Sequence, residues 1–188
     1  SRVFIVEVMG HKVGHVTLHA GIAGGADVIL LPEIPYDIDE VVKVIQKRAE
    51  AGKAFTIIAV AEGAISREDA ALSKKEYKSK QEQKRYPSIA YELAEKIQEK
   101  TDKEVRVTVP GHTQRGGAPS PYDRVVATRV GAAAAELILN REYGYMVAMK
   151  GNHTEKVPLS EVAGKLKYVD PEDGLIRVAR SEEHTSEL

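Results

Sequence analysis

The sequence predicts an α/β fold with a mostly parallel, Rossmann-like sheet flanked by helices, and three observations carry that reading. Short apolar, β-branched runs alternate along the chain with segments of helical period. Several of these runs are apolar at nearly every position, as strands buried on both faces are. Between them stand the usual helix starts and stops: Ser, Asp and Pro before the helical segments, and paired glycines after the first.

Val3–Val8 reads as a strand ended by Met9-Gly10. Gly14–Ala23 follows as a short helix stopped by Gly24-Gly25, and Val28–Leu31 as a fully buried strand. Asp37, with Glu40 three residues on, predicts a capping box opening a helix to about Ala51, with Val41, Val42 and Ile45 on its apolar face. Phe55–Ala61 is a continuous apolar strand. Residues 66–85 form a charged, Lys-rich stretch, read as a solvated loop or an exposed helix. Pro87–Lys100 is an amphipathic helix, Glu104–Val109 a strand, Ser120–Asn140 a long Ala-rich helix and Tyr145–Met149 a strand. A short helix near Ser160–Leu166 follows. There is no internal repeat.

Composition narrows the function classes. The chain has 188 residues, 43% hydrophobic and 29% charged, the profile of a globular protein. It contains no cysteine, which excludes disulfide frameworks and thiolate zinc sites. No apolar run reaches membrane-spanning length and no signal peptide opens the chain, so the expected location is cytoplasmic, with no membrane partner. A formal charge of −1 offers no electrostatic footprint for nucleic acid. The chain opens inside a strand-like run, and residues 180–188 lack any period and resemble a translated sequencing adapter. A fragment with an artefactual tail is therefore expected.

The densest chemistry lies in residues 106–124. Arg106, His112 and Arg115 stand at the end of a β-branched strand, followed by Gly116-Gly117. Ser120 then reads as an N-cap, Pro121 as the first helical residue and Asp123 as the closing member of a capping box. A strand end, a glycine turn and a helix start with cationic side chains predict an anion-binding corner, with phosphate as the expected anion. Ligands of such sheets gather beyond the carboxyl ends of the strands. Those ends carry Met9-Gly10-His11, Glu62-Gly63 and the His112/Arg115 loop. A carboxylate for hydroxyls, with Arg and His for a dianion, suits a polyhydroxylated phosphate ester. His11, His15 and His19 recur every four residues, but no carboxylate supports them at helical spacing, and no metal site is assigned.

On these residues the chain resembles the second half of a 6-phosphofructokinase. The spacing Arg106-x4-Gly111-His112-x-Gln114-Arg115-Gly-Gly-x5-Asp123-Arg124 matches the family's signature along its length. Glu7-Val8-Met9-Gly10, Ala23-Gly24-Gly25-Ala26 and Ala61-Glu62-Gly63 fall where the family has its own motifs, and the similarity runs from Arg2 to about Ala179. Loop lengths resemble the actinobacterial-type branch, whose members use ATP or pyrophosphate.

The resemblance implies phosphoryl transfer to the 1-hydroxyl of fructose 6-phosphate, giving fructose 1,6-bisphosphate in glycolysis, with Mg2+ escorting ATP or pyrophosphate. It implies that His112 holds the 6-phosphate, that Arg115 lies against the sugar and the migrating phosphoryl group, and that Glu62 with the backbone at Met9 and Gly10 holds the ring hydroxyls. Arg2 and Arg106 would reach a neighbouring subunit's sugar phosphate, in a homodimer or homotetramer. Residues 1–113 would form the sugar-phosphate domain, 114–165 would pack back on a nucleotide domain, and 166–179 would return. The catalytic base and the magnesium ligands are expected in a first half outside this sequence, so no catalytic residue is assigned here, and residues 1–188 alone are expected to be inactive and prone to aggregate. Asp27 and Lys53 correspond to effector-nucleotide positions of some regulated relatives, although Ala51 stands where a lysine of that site would be. One departure stands out: His11 replaces the arginine of the family's Met-Gly-Arg. It leaves open a second reading, a non-catalytic sugar-phosphate-binding or regulatory subunit of the same lineage.

Overall fold

The computed structural model describes residues 1–83 and 87–180, so the adapter-like tail beyond Arg180 and the end of the charged stretch at 84–85 lie outside the described residues. In chain order the elements are β1 (Arg2–Val8), α1 (His15–Ala23), β2 (Val28–Leu30), α2 (Ile38–Glu50), β3 (Phe55–Ala61), α3 (Arg67–Ala70), α4 (Lys74–Glu82), α5 (Ile89–Lys100) and β4 (Glu104–Thr108). A 3-10 turn (Gly111–Arg115), α6 (Pro121–Leu139), β5 (Tyr145–Lys150), β6 (His153–Pro158), α7 (Leu159–Val162) and α8 (Gly174–Ala179) complete it. Two compact units emerge: one from Ser1–Gln114 with the chain from Tyr168 onward, the other Arg115–Lys167.

The first unit is built on a four-stranded sheet in the order β2-β3-β1-β4. All its pairings are parallel, with Ile5 opposite both Ile58 and Val107. Alternation sends Val28, Leu30, Ile58 and Val60 to one face, where α2 and α5 contribute Val41, Ile45, Leu93 and Ile97. Ile29, Leu31 and Ala59 turn to the other face, against Leu18 of α1 and Ile176 and Ala179 of α8. Ile5, Leu18, Ile29, Leu30, Ile58 and Leu93 are among the side chains that are fully buried, worth roughly 1.5–3 kcal/mol apiece.

One local expectation needs correction and a second, the exposed helix in the charged stretch, is met in part. Asp37 does cap α2, its Oδ1 accepting from the Asp39 N–H at 2.9 Å, but Glu40 does not return to the cap. Glu40 pairs with Lys43, and the second Asp37 oxygen meets Arg67 at 3.4 Å. Two carboxylates sharing one helix end would repel, and each finds its own cation instead. The charged stretch holds two helices, each opened by a serine that caps its N-terminus: Ser66 accepts from Asp69, and Ser73 forms a full capping box with Glu76. Asp69 is buried and paired with Lys80.

α5 is capped from outside its own chain segment. Ser88 makes no side-chain cap; its hydroxyl donates to the buried Glu7 of β1, whose Oε2 also accepts from the Ala90 N–H at 3.1 Å. A carboxylate is thereby placed at the positive end of the helix dipole.

The second unit is α6 over an antiparallel two-stranded hairpin, β5-β6, followed by α7. The sequence reading has no β6, because His153–Pro158 is polar; the Gly151-Asn152 pair between the two runs is a hairpin signal it left unused. No residue of 115–167 is buried.

Replacing Glu7 with Ala strands the Ser88 hydroxyl and the Ala90 N–H, and should lower unfolding stability by about 1–3 kcal/mol, read as a lower urea midpoint; Glu7→Gln should lose less than half of that. Tyr36 is 4% exposed, and its hydroxyl has no hydrogen-bond partner among the described residues. Burial first, then Glu92, Asp69 and Glu68, push its phenol well above the ordinary tyrosine range. Its neutral form is therefore favoured by folding. That contribution is complete below about pH 10 and disappears as pH rises further. Tyr36→Phe should be neutral to mildly stabilising at pH 7 and should flatten the loss of urea midpoint between roughly pH 10 and 11.

Candidate functional site

β1 is an interior strand, so its carboxyl-terminal loop lies between those of β3 and β4. Three chain segments converge there: Met9-Gly10-His11 after β1, Glu62-Gly63 after β3 and the 3-10 turn after β4. The β1 loop bends sharply. Gly10 has φ +154° and His11, a non-glycine residue, sits in the left-handed region at φ 55°. Such a conformation costs about 1 kcal/mol or more and persists only where neighbours hold it.

The neighbours are side chains. Glu62 Oε1 accepts from the Gly10 N–H at 3.0 Å and from the His11 N–H. Gln114 Oε1 accepts from the Met9 N–H at 3.1 Å. Three successive backbone donors are thus satisfied by two residues from adjacent strand ends, and the two at Glu62 are charge-assisted. The nesting is close: a Cβ on Gly63 would stand 2.0 Å from the His11 carbonyl oxygen, and one on Gly10 would stand 2.5 Å from that of Val13. Neither position has room for a side chain.

Met9, Gly10, His11, Glu62 and His112 therefore belong to the strand-end cluster of the first unit. His112 is exposed on the 3-10 turn, whose Thr113 donates through both N–H and hydroxyl to the Pro110 carbonyl. Arg115 ends that turn and opens the second unit. Arg2 and Arg106 lie elsewhere. Arg2 begins β1, roughly 20 Å along the strand from Met9. Both guanidiniums converge on Glu104, Arg2 Nε at 2.9 Å and an Arg106 terminal nitrogen at 2.7 Å. These arginines, Arg106 before Arg2, hold the Glu104 carboxyl below the usual carboxylate range.

At the start of α6, Ser120, Pro121 and Asp123 take the predicted capping roles, and the Ser120 hydroxyl and N–H lower the Asp123 carboxyl. That carboxylate already occupies the helix end, so α6 by itself is a weaker anion site than the sequence implies. Asp27 is engaged within the fold, by Arg48 at 2.8 Å and the Ile57 N–H at 2.8 Å. Among the described residues, no three His, Cys, Asp or Glu side chains cluster to hold a metal ion. The described residues therefore do not supply a magnesium site. None of the described helices is long and apolar enough to cross a membrane.

Sequence reasoning places Gln114 inside the signature and Gly63 beside Glu62 at a strand end, without giving either a structural role. Both act by touching the backbone of a loop distant in sequence, which no periodicity reveals.

A sequence model of the family described as Phosphofructokinase matches residues 1–138. The ATP-dependent 6-phosphofructokinase of Spirochaeta thermophila is 54% identical over 181 residues, covering 96% of this chain and 50% of that protein. That of Chloroflexus aurantiacus is 46% identical over 181 residues, covering 96% and 49%. The chain thus spans about half the length of these curated relatives. Among solved structures, Saccharomyces cerevisiae phosphofructokinase superposes with a TM-score of 0.69 at 32% identity, over 85% of this chain and 20% of that one. Pichia pastoris phosphofructokinase in the T-state gives 0.65 at 34%, over 86% and 17%. A pyrophosphate-dependent phosphofructokinase from Marinobacter aquaeolei, at 24% identity, shares the fold with a TM-score of 0.71, over 91% of this chain and 42% of that one. With its strand-end loops, its signature and most of its length following one family's pattern, the chain belongs to the phosphofructokinase family.

Proposed function

We propose that this chain is the sugar-phosphate-binding half of an enzyme that transfers a phosphoryl group to the 1-hydroxyl of fructose 6-phosphate. The observation that carries the reading is the convergence of Glu62, the Met9–His11 loop and His112 at adjacent strand ends, inside a phosphofructokinase signature. His112 meets the 6-phosphate, Glu62 and the loop face the ring, and Arg115 offers a planar cation to the sugar and the migrating phosphoryl group. Catalysis of this kind is mostly positioning and charge stabilisation. ATP is favoured as donor because the Spirochaeta and Chloroflexus relatives are named ATP-dependent, with pyrophosphate, named for the Marinobacter protein, as the alternative. Magnesium supplies charge neutralisation on the donor when bound. Its ligands and the catalytic base are expected outside residues 1–188, and no step is derived through the ion.

In this reading Glu62 has two tasks. Its Oε1 holds the Gly10 and His11 amides, and its carboxylate also faces the ring hydroxyls. The loop it shapes is then part of the sugar's binding surface before the sugar arrives. Arg2 and Arg106, fastened together on Glu104 away from the cluster, serve a neighbouring subunit's sugar phosphate in a homodimer or homotetramer. Residues 1–113 with 166–179 constitute the sugar-phosphate domain and 114–165 pack on the nucleotide domain. The cytoplasm is the compartment where these substrates meet.

One observation favours a second reading. His11 stands where the family's motif carries arginine, and an imidazole lacks the bidentate fork. A sugar-phosphate-binding subunit without turnover would bind fructose 6-phosphate and leave it unchanged.

In the full-length enzyme, His112→Ala should raise KM for fructose 6-phosphate by roughly 10- to 100-fold through loss of a charge-assisted bond, and Arg115→Ala should raise KM and lower kcat as well. Steady-state kinetics check this, and an unchanged KM in both variants removes the assignment. Purified residues 1–188 should show no phosphoryl transfer to fructose 6-phosphate from either donor in a coupled assay, and turnover above background would overturn that expectation.

A further inference from the structure

Gln114 spends both ends of its side-chain amide on backbone. Its Oε1 accepts from Met9 N–H at 3.1 Å and its Nε2 donates to the Gly111 carbonyl at 3.1 Å. Only one orientation satisfies both: a flipped amide would set donor against donor and acceptor against acceptor. The two backbone groups belong to the loops after β1 and β4, which are neighbours in the sheet.

The sheet itself does not fix those loops. Pairing between β1 and β4 stops at Val6 opposite Thr108. Pro110, two residues on, has no N–H with which to resume it. Past that point Gln114 links the two loops through the hydrogen bond it accepts from Met9. On one side of this bridge lies the Gly10-His11 turn, on the other His112.

We propose that Gln114 is a positioning residue that takes over where the β1–β4 ladder ends, holding the Met9–His11 loop and His112 at the separation a hexose phosphate spans between its ring and its phosphate. The proposal rests on the phosphofructokinase reading above for its substrate, while the bridge itself does not. Gln114 acts through backbone, so it sets how well the sugar phosphate fits without joining the transfer.

The experiment uses the full-length enzyme and two variants. Gln114→Met keeps the side-chain volume and removes both hydrogen bonds; Gln114→Glu keeps the acceptor for Met9 and loses the donor to Gly111. For Gln114→Met, KM for fructose 6-phosphate should rise about tenfold, with kcat and the donor's KM within about twofold. Amide exchange at Met9 should accelerate by about tenfold, while the melting temperature stays nearly unchanged. Gln114→Glu should restore protection at Met9 but keep a raised KM, because the Gly111 link is lost and a carboxylate now stands near the phosphate. Unaltered exchange at Met9 in Gln114→Met overturns the bridge. Accelerated exchange with an unchanged KM overturns its positioning role, as does a parallel fall in kcat and melting temperature with KM unmoved. If the unsubstituted enzyme does not phosphorylate fructose 6-phosphate, the functional reading falls. Exchange at Met9 then decides alone, acceleration in Gln114→Met keeping Gln114 as the loop's clamp and no change overturning it.

Discussion

A carboxylate accepting two consecutive backbone amides is the constraint on which the site depends. The loop after β1 must turn within a few residues of an interior strand, and its amides point away from any ladder. Glu62 answers two of them, at Gly10 and His11, and in doing so makes the left-handed conformation at His11 tenable. A charged acceptor does this better than a neutral one, since each bond is roughly twice as strong. The glycine at 63 is the geometric partner of that interaction: the carboxylate can reach across only because the next residue brings no Cβ against the His11 carbonyl.

The same economy recurs a few residues back along β1. Glu7 reaches from the strand into the start of α5, where Ser88, the nominal cap, turns its hydroxyl to it instead of to the helix. Core helix and sheet-end loop are thereby positioned by acidic side chains on consecutive stretches of two adjacent strands. Burial provides the bulk of the cohesion. The carboxylates hold the start of α5 and the loop after β1 in place.

Much of this was legible in the sequence wherever periodicity or capping chemistry expresses it. The strands at 3–8, 28–31 and 55–61 are visible because residues buried on both faces are mostly apolar, and 104–109 because Val105, Val107 and Val109 alternate with polar residues. The Ser120–Asp123 box is visible because both partners lie within one turn. What escaped depends on long-range geometry. β6 is polar because its unit buries nothing, so its alternation carries no signal. Glu40 forgoes the Asp37 box because Lys43 and Arg67 compete for the two carboxylates, and Arg67 arrives from a different element. The loop-holding role of Glu62 depends on φ angles at Gly10 and His11 that no spacing encodes. At the level of the family, the signature from Arg106 to Arg124 was enough, because its residues are defined by offset along one segment.

The segment 115–167 shows what an absent interior implies. Tyr122, Ile138, Leu139 and Tyr143 are each more than half exposed, though they sit among regular helix and hairpin. A two-stranded ribbon is marginal in water, and one helix laid over it leaves apolar area wetted on every side. Taken by itself, this layer has regular backbone geometry with no hydrophobic interior beneath it, and hydrogen bonding within helix and ribbon alone accounts for its shape.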